Sequence, residues 1–246
     1  MQTKSFPQVT KARLDSLSAY LRQEVMADDF ICTSYPECKA SADCEGLTFY
    51  KGQLHHVGTH YDLEVDRNPM RIVIVGQEFG HGPSCVDLKA RHQMILETAS
   101  APWRGRDRRN PHMKGTTTLL RLLHKRHPGE DEIGEKLLLD SGEEIHLFEG
   151  FALINYLLCS AVLGNSRRGM ATYSMTVNCA RHFRKAIDIL EPTLMILQGY
   201  GVRWWIAEAY RCPWKKGTVD EWLVGGRLGV SEAGERAGET ERIMRP

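Results

Sequence analysis

The run Val75-Gly76-Gln77-Glu78-Phe79-Gly80-His81-Gly82 joins a glycine-rich turn to an acid and a histidine. A glutamate at the end of a strand can act as a base on water, and His81 is a second titratable group close by. The run lacks the spacing of a dinucleotide turn and the Lys-Ser/Thr ending of a phosphate loop. Its plainer reading is a turn whose polar residues satisfy backbone groups. Cysteines form a second constellation. Cys32, Cys38 and Cys44 share one short polar stretch, and Cys159 and Cys179 flank a loop of 19 residues. Two thiols from the first group and these two would make a four-thiolate site, suited to zinc or an iron–sulfur cluster. Cys85 and Cys212 read as buried or incidental thiols. The third constellation is basic: Arg104, Arg106, Arg108 and Arg109 beside Trp103, with Arg167 and Arg168 in a separate loop. Arginines next to an aromatic suit a nucleic-acid backbone, and a solvated charged loop is the competing reading. His55, His56 and His60 read as surface or loop residues, and Trp204-Trp205 as a pair packed on a sheet.

These residues need elements to hold them. Residues 10–27 have the period of an amphipathic helix, with Leu14, Leu17, Leu21 and Val25 on one face. Residues 30–62 read as a loop-rich segment. Arg71–Val75, apolar and β-branched, reads as a buried strand, followed by a helix over 85–98. Residues 100–115 are a basic loop broken by proline and glycine, and 116–126 a helix capped by threonine. Residues 128–144 are acidic and expected to be exposed. Residues 151–163 open as a second strand, and 164–174 form a polar loop. Residues 178–190 form a helix with Asn178 as cap, and 194–201 a third strand running into a glycine turn. Strands alternating with helices predict an α/β fold, a single three-layer αβα domain around a central, mostly parallel sheet. Its parts are the N-terminal helix and Cys-rich segment over 1–62, a core over 63–225, and a polar tail over 226–246. In such a sheet the working residues gather at the C-terminal strand ends. Those ends carry Gly76–His81, Asn155 and Gln198–Gly201.

Composition narrows the class. Lys plus Arg number 32 against 31 Asp plus Glu, a net charge of +1, so any basic site must be local. No apolar run reaches the roughly 18–20 residues of a membrane span, and the first residues lack the apolar core of a signal peptide. A cytoplasmic protein is expected, and there seven cysteines argue for metal, redox or burial over a disulfide framework.

Taken in order, the motifs over roughly residues 30–200 resemble the uracil-DNA glycosylase superfamily, in particular its iron–sulfur branch (family 4/5-like). Gly76-Gln77-Glu78 and His81 lie where one branch writes GQDPYH and the iron–sulfur branch GEAPG, with glutamate in place of aspartate. Phe151–Cys159 (FALINYLLC) resembles the strand written TNVVKC. Cys179 resembles the next cluster cysteine. EPTLMILQGYG resembles the strand P-x-V-I-V-A-L-G, and NPHMKGTTTLLRLL the PFVG-x-A-G-x-LL segment. The chain departs from the pattern in two places. The family's close Cys-x-x-Cys pair is replaced by wider spacing, and its late HPSP-like histidine has no match, because no histidine follows His182.

The resemblance implies hydrolysis of an N-glycosidic bond in DNA after the base is flipped from the stack. Glu78 would activate water with His81 nearby, and Asn155 would read the pyrimidine edge. Gln77 and Phe79 would contact the base, and His112 or Met113 would stand where the family stacks a phenylalanine. Arg104, Arg106, Arg108, Arg109, Arg167 and Arg168 would hold phosphates. Cys38, Cys44, Cys159 and Cys179, with Cys32 as substitute, would bind a structural 4Fe-4S cluster, with zinc as the alternative. The expected partner is DNA, met by a monomer away from membranes. Repair of deaminated cytosine is the default setting. Removal of a bulky modified cytosine from phage DNA, in antiviral defence, is the alternative. A catalytically inactive DNA-binding protein of the same fold is the rival of another class.

Overall fold

The computed structural model describes residues 2–78, 85–105, 108–164 and 169–210. The chain begins with β1 (Thr3–Ser5), α1 (Pro7–Glu24), α2 (Tyr35–Cys44), β2 (Thr48–Lys51), β3 (His56–Val57), β4 (Leu63–Val65), β5 (Asn68–Met70) and β6 (Ile72–Gly76). Helices α3 (Leu88–Ala99) and α4 (Pro111–Leu123) follow, then the hairpin strands β7 (Lys136–Leu138) and β8 (Glu144–His146). The remainder is β9 (Phe151–Asn155), β10 (Cys159–Val162), β11 (Gly169–Met170), α5 (Tyr173–Leu190), β12 (Leu194–Leu197) and α6 (Tyr200–Ala209).

The fold is mixed α/β. A four-stranded sheet has the order β12-β6-β9-β3, with β12, β6 and β9 parallel and β3 antiparallel at the edge. Strands buried on both faces read as unbroken apolar runs, and IVIVG and FALIN do so. Their side chains alternate between two cores. Val73, Val75, Ala152 and Ile154 join Leu17, Leu21, Phe183 and Ile187 on one face. Ile72, Ile74, Phe151 and Leu153 join Ile95, Leu120, Leu147 and Phe148 on the other. Each such buried side chain contributes roughly 1.5–3 kcal/mol. Three smaller sheets accompany it, β1-β4-β5, β11-β10-β2 and the β7-β8 hairpin, so the strands are spread over several sheets where a single central one was expected.

Several elements differ from expectation for identifiable reasons. The expected single strand over 151–163 is two. After Asn155 the chain turns, Tyr156 N–H donating to Gly76 O and Leu157 N–H to Gln77 O, and β10 joins a different sheet. Helix α4 starts at Pro111, not Thr116. The Asn110 side chain accepts from Met113 N–H at 2.8 Å, and proline in the first turn lacks only a donor that has no helical partner there. Helix α5 starts at Tyr173 under a Thr172 cap, and Asn178 lies inside it. The acidic stretch over 128–144 is not wholly exposed: it holds β7 and part of β8, with Leu137 buried and Ile145 beside it. The supposed loop over 30–62 contains α2, β2 and β3, and His55 and His56 are wholly buried. Among the described residues no helix is long and apolar enough to cross a membrane. The tail over 226–246 lies outside the described residues.

Candidate active site

Parallel register brings the ends of β6 and β9 level, so Gly76 stands beside Asn155. The Asn155 amide is buried and its Nδ2 donates to Gln53 O at 3.4 Å and Leu54 O at 3.3 Å. Two carbonyls at Nδ2 fix the orientation of the amide and leave Oδ1 as an acceptor. A side chain on Gly76 would begin 4.0 Å from that Oδ1 and 3.5 Å from His112 Cε1. The slot in front of Gly76 is thus bounded by the Asn155 amide and the His112 imidazole.

His112 lies in the first turn of α4. Its carbonyl accepts from Gln198 Nε2 at 3.0 Å, and Gln198 Oε1 accepts from Thr116 Oγ1 at 3.3 Å. The ends of β12 and α4 are thus tied together at the slot. Burial, with the Arg91 charge nearby, holds the His112 imidazole below the ordinary histidine range and so neutral. Met113, expected as an alternative base contact, instead points into the core among Ile74, Leu120 and Leu147. Its place in the helix turns it away from the strand ends, which removes it from the candidate contacts.

Glu78 stands two residues beyond Gly76, with its carboxyl toward β10 and β11. Burial pushes its pKa up to about 7, and the Ser160 hydroxyl and Ala161 backbone only partly oppose this. Its Oε2 is buried without a good hydrogen bond. Gly169 permits the arrangement: a Cβ there would lie 1.0 Å from Glu78 Oε1. Gln77 Nε2 reaches Gly169 O at 3.4 Å. A carboxyl poised near neutrality beside a strand-end slot has the properties of a general base. Phe79 and His81 lie outside the described residues.

The cysteines form a second centre. Cys32, Cys38, Cys159 and Cys179 are close enough that neighbouring thiols help raise the pKa of Cys38, Cys159 and Cys179. Burial is the larger cause, pushing Cys179 up to about 12 and Cys159 well above its usual value. Donors nevertheless face the sulfurs: Asn178 Nδ2 lies 3.6 Å from Cys38 Sγ, and the backbones of Gly52 and Leu158 serve Cys159 and Cys179. His182 Nε2 lies 3.6 Å from Cys32 Sγ. Cys44 does not belong to this group. It follows Cys38 by six positions on α2, which turns it to another face, and it is exposed. Cys32, the substitute, takes its place. Cys85 is exposed, not buried, and Cys212 lies outside the described residues. The two centres are close in sequence: Asn155 and Cys159 are separated only by Tyr156, Leu157 and Leu158. The Tyr156 hydroxyl lies 3.2 Å from Thr176 O on α5 and 3.1 Å from Trp205 O on α6.

The arginines divide. Arg109 is not available to a phosphate. It is 2% exposed and pairs with Glu135 at 2.9 Å, a carboxylate that also accepts from Trp103 Nε1 at 2.9 Å and lies 3.0 Å from His146 Nε2. Arg109 further donates to Thr117 Oγ1 and Ala99 O, with the Trp103 and Phe148 rings against it. Arg104 is exposed, with Glu130 at 2.8 Å, and Arg108 is exposed. Arg106, Arg167 and Arg168 lie outside the described residues. Trp205 packs against the core, and Trp204 is substantially exposed.

Two residues near the slot gave no sequence signal. His55 is wholly buried with neither ring nitrogen hydrogen-bonded, and burial holds its pKa down to about 3. Arg91 on α3 lies near His55, His56 and His112, its own pKa lowered to about 10 by burial. The chain matches no protein-family model and no curated protein.

Proposed function

We propose that the chain is a DNA glycosylase of the uracil-DNA glycosylase type. It hydrolyses the N-glycosidic bond of a flipped-out pyrimidine and leaves an abasic site. The observation that carries this reading is the strand-end pair: a buried acid with a pKa near 7 two residues beyond Gly76, and an anchored asparagine beside that glycine. In the reaction, Glu78 takes a proton from the water that attacks C1′, and its charge stabilises the developing sugar cation. Asn155 Oδ1 accepts from an N–H on the pyrimidine edge. The two-faced burial of β12, β6 and β9 supports the finer fold, an αβα sandwich of this superfamily.

The cysteine corner fits a 4Fe-4S cluster held by Cys32, Cys38, Cys159 and Cys179. Among the described residues no three His, Cys, Asp or Glu side chains are grouped as a single metal ion requires, and the cluster reading rests on the four thiols and the donors that face them. The donors facing the sulfurs favour the thiolates such a cluster needs. When bound, the cluster supplies a structural tie between the 32–38 segment, β10 and α5. Absorbance of aerobically and anaerobically purified protein tests this. Loss of a broad visible band in Cys32→Ser but not Cys44→Ser supports the four ligands, and the reverse overturns them.

The function is tested on oligonucleotides carrying uracil, other damaged bases, and hydroxymethylated or glucosylated cytosine, with alkaline cleavage at abasic sites. Strand scission with one of them, lost in Glu78→Gln, supports the glycosylase. DNA binding without scission on any of them overturns it in favour of the inactive DNA-binding protein.

A further inference from the structure

Polar neighbours meet the four thiols of the cysteine corner in two ways. Cys38 faces the Asn178 amide, and Cys159 and Cys179 are served by the backbones of Gly52 and Leu158. At Cys32 the neighbour is an imidazole: His182 Nε2 lies 3.6 Å from its Sγ. His182 follows Cys179 by three positions, which puts both on one face of α5, and it is 1% exposed. Its other ring nitrogen, Nδ1, lies 2.8 Å from the Tyr20 hydroxyl on α1. Arg181 Nε is 3.3 Å from His182 Nε2, and Arg181 Nη2 donates to Thr33 Oγ1 at 2.9 Å, which keeps a cation beside the same sulfur. The backbone of Cys32 is fixed as well: its N–H donates to Val25 O at 3.2 Å, and its carbonyl accepts from Tyr35 N–H at 2.9 Å. Cys32 is partly exposed, whereas Cys38, Cys159 and Cys179 are buried. The thiol nearest solvent is thus the one met by a buried, anchored side chain.

We propose that His182 is a positioning residue of the metal centre, its Nε2–H donating to the Cys32 thiolate and making the centre easier to reduce. The assignment rests on the cluster reading. A thiolate accepts and never donates, so a neutral imidazole that faces it carries its hydrogen on Nε2 and leaves Nδ1 to accept from the Tyr20 hydroxyl. The bond from Tyr20 fixes both the tautomer and the direction of the ring, as outer partners do for other groups around metals. Arg181 then keeps its bond to Thr33 and acts on the sulfur through its charge. Hydrogen bonds to ligating sulfurs raise the potential of an iron–sulfur centre, because they stabilise the extra negative charge of the reduced state. The hydrogen stays on Nε2 in both states, and no proton is transferred. A histidine that only filled the space between α1 and α5 would hold those helices together and leave the potential alone.

Redox titration of the full chain, reconstituted anaerobically with iron and sulfide, separates the two roles. His182→Leu removes the donor and is expected to lower the reduction potential. His182→Gln returns an N–H and is expected to recover most of that shift. Pulsed EPR of the reduced wild type in water and heavy water should show an exchangeable proton coupled to the centre, and His182→Leu should lack it. Should His182→Leu hold no iron, Tyr20→Phe is read in its place: loss of the hydroxyl frees the tautomer, and a lowered potential supports the assignment. A wild-type potential in His182→Leu, or in Tyr20→Phe where that variant decides, overturns the assignment. So does a potential in His182→Gln as low as in His182→Leu. Each of these leaves the cluster standing. Wild-type chain that takes up no iron and sulfide and shows no visible band overturns both.

Discussion

Two buried polar clusters lie on this chain, and they are completed in different ways. Around Glu135 the protein supplies the partners: Arg109, Trp103 and His146 serve one carboxylate, and the Arg109 guanidinium goes on to Thr117 and Ala99. At the strand ends the protein stops short. Glu78 Oε2 and both nitrogens of His55 are buried without hydrogen-bond partners among the described residues. Burying a polar group without a partner costs free energy, so completed clusters serve the fold, while incomplete ones are arranged for something that comes from outside. Proximity to basic sequence would have assigned both to DNA. Satisfaction of the polar groups separates them.

Substitutions can break this contrast or sharpen it. Arg109→Ala leaves the buried Glu135 carboxylate without its cation and the Ala99 carbonyl without its donor, and is expected to cost about 3–5 kcal/mol. Tm should fall by roughly 6–20 °C, and a change under about 2 °C would erase the distinction between the clusters. Glu78→Gln is expected to slow base release about 10²–10⁴-fold with little effect on DNA affinity. The wild-type rate should rise with pH through about 7 as the base ionises, and the Gln variant should lose that limb. Stability carries the matching sign. Between the ordinary glutamate range and about 7 the native state holds a proton that the unfolded chain releases. Native stability therefore falls as pH rises through that window, and urea titrations at pH 5 and 8 should show less of this fall in Glu78→Gln. His55→Leu removes an unpartnered polar ring and is expected to be neutral or stabilising, by up to about 2 kcal/mol, where Arg109→Ala destabilises. A loss of several kcal/mol in His55→Leu would mean that its nitrogens are satisfied after all. The smallest effects belong to the exposed arginines. Arg104→Ala or Arg108→Ala should change stability by less than about 0.5 kcal/mol and lower the salt slope of DNA binding by about one. An unchanged slope in both would return this loop to the solvated-surface reading.

How much was readable in the residues follows the same division. The parallel strands were legible because IVIV and FALI must be buried on both faces. The position of Glu78 and Asn155 at the strand ends was legible too, because each closes or follows one of those apolar runs. The start of α4 was misread, since proline and glycine at 111 and 115 look like loop signals until the Asn110 cap is seen. Cys44 was grouped with Cys38 because nothing marked 35–44 as a helix, and only helical phase turns the exposed 44 thiol away from Cys38. Arg109 could not be told from Arg104 and Arg108 by neighbours in sequence. Its carboxylate partner is 26 positions away on the far side of an apparent loop. His55 was hidden because two adjacent histidines resemble surface, and the opposite face of a two-residue edge strand gives too short a period to read.

The short run from Asn155 to Cys159 also has a mechanical meaning. Tyr156, in its middle, reaches with one hydroxyl toward both the helix that carries Cys179 and the helix that follows β12. Damage to the thiols would therefore travel along the backbone before it travels through the core. In hydrogen-exchange measurements on oxidised protein, the Tyr156 and Leu157 amides, which donate to Gly76 O and Gln77 O, and the Gln53 amide, which donates to Leu158 O, should lose protection early. The interior amides of β6, flanked by β12 and β9, should keep theirs. An oxidised molecule would then remain folded and yet lose the fixed orientation of the Asn155 amide, so that whatever the strand ends bind would be lost ahead of stability.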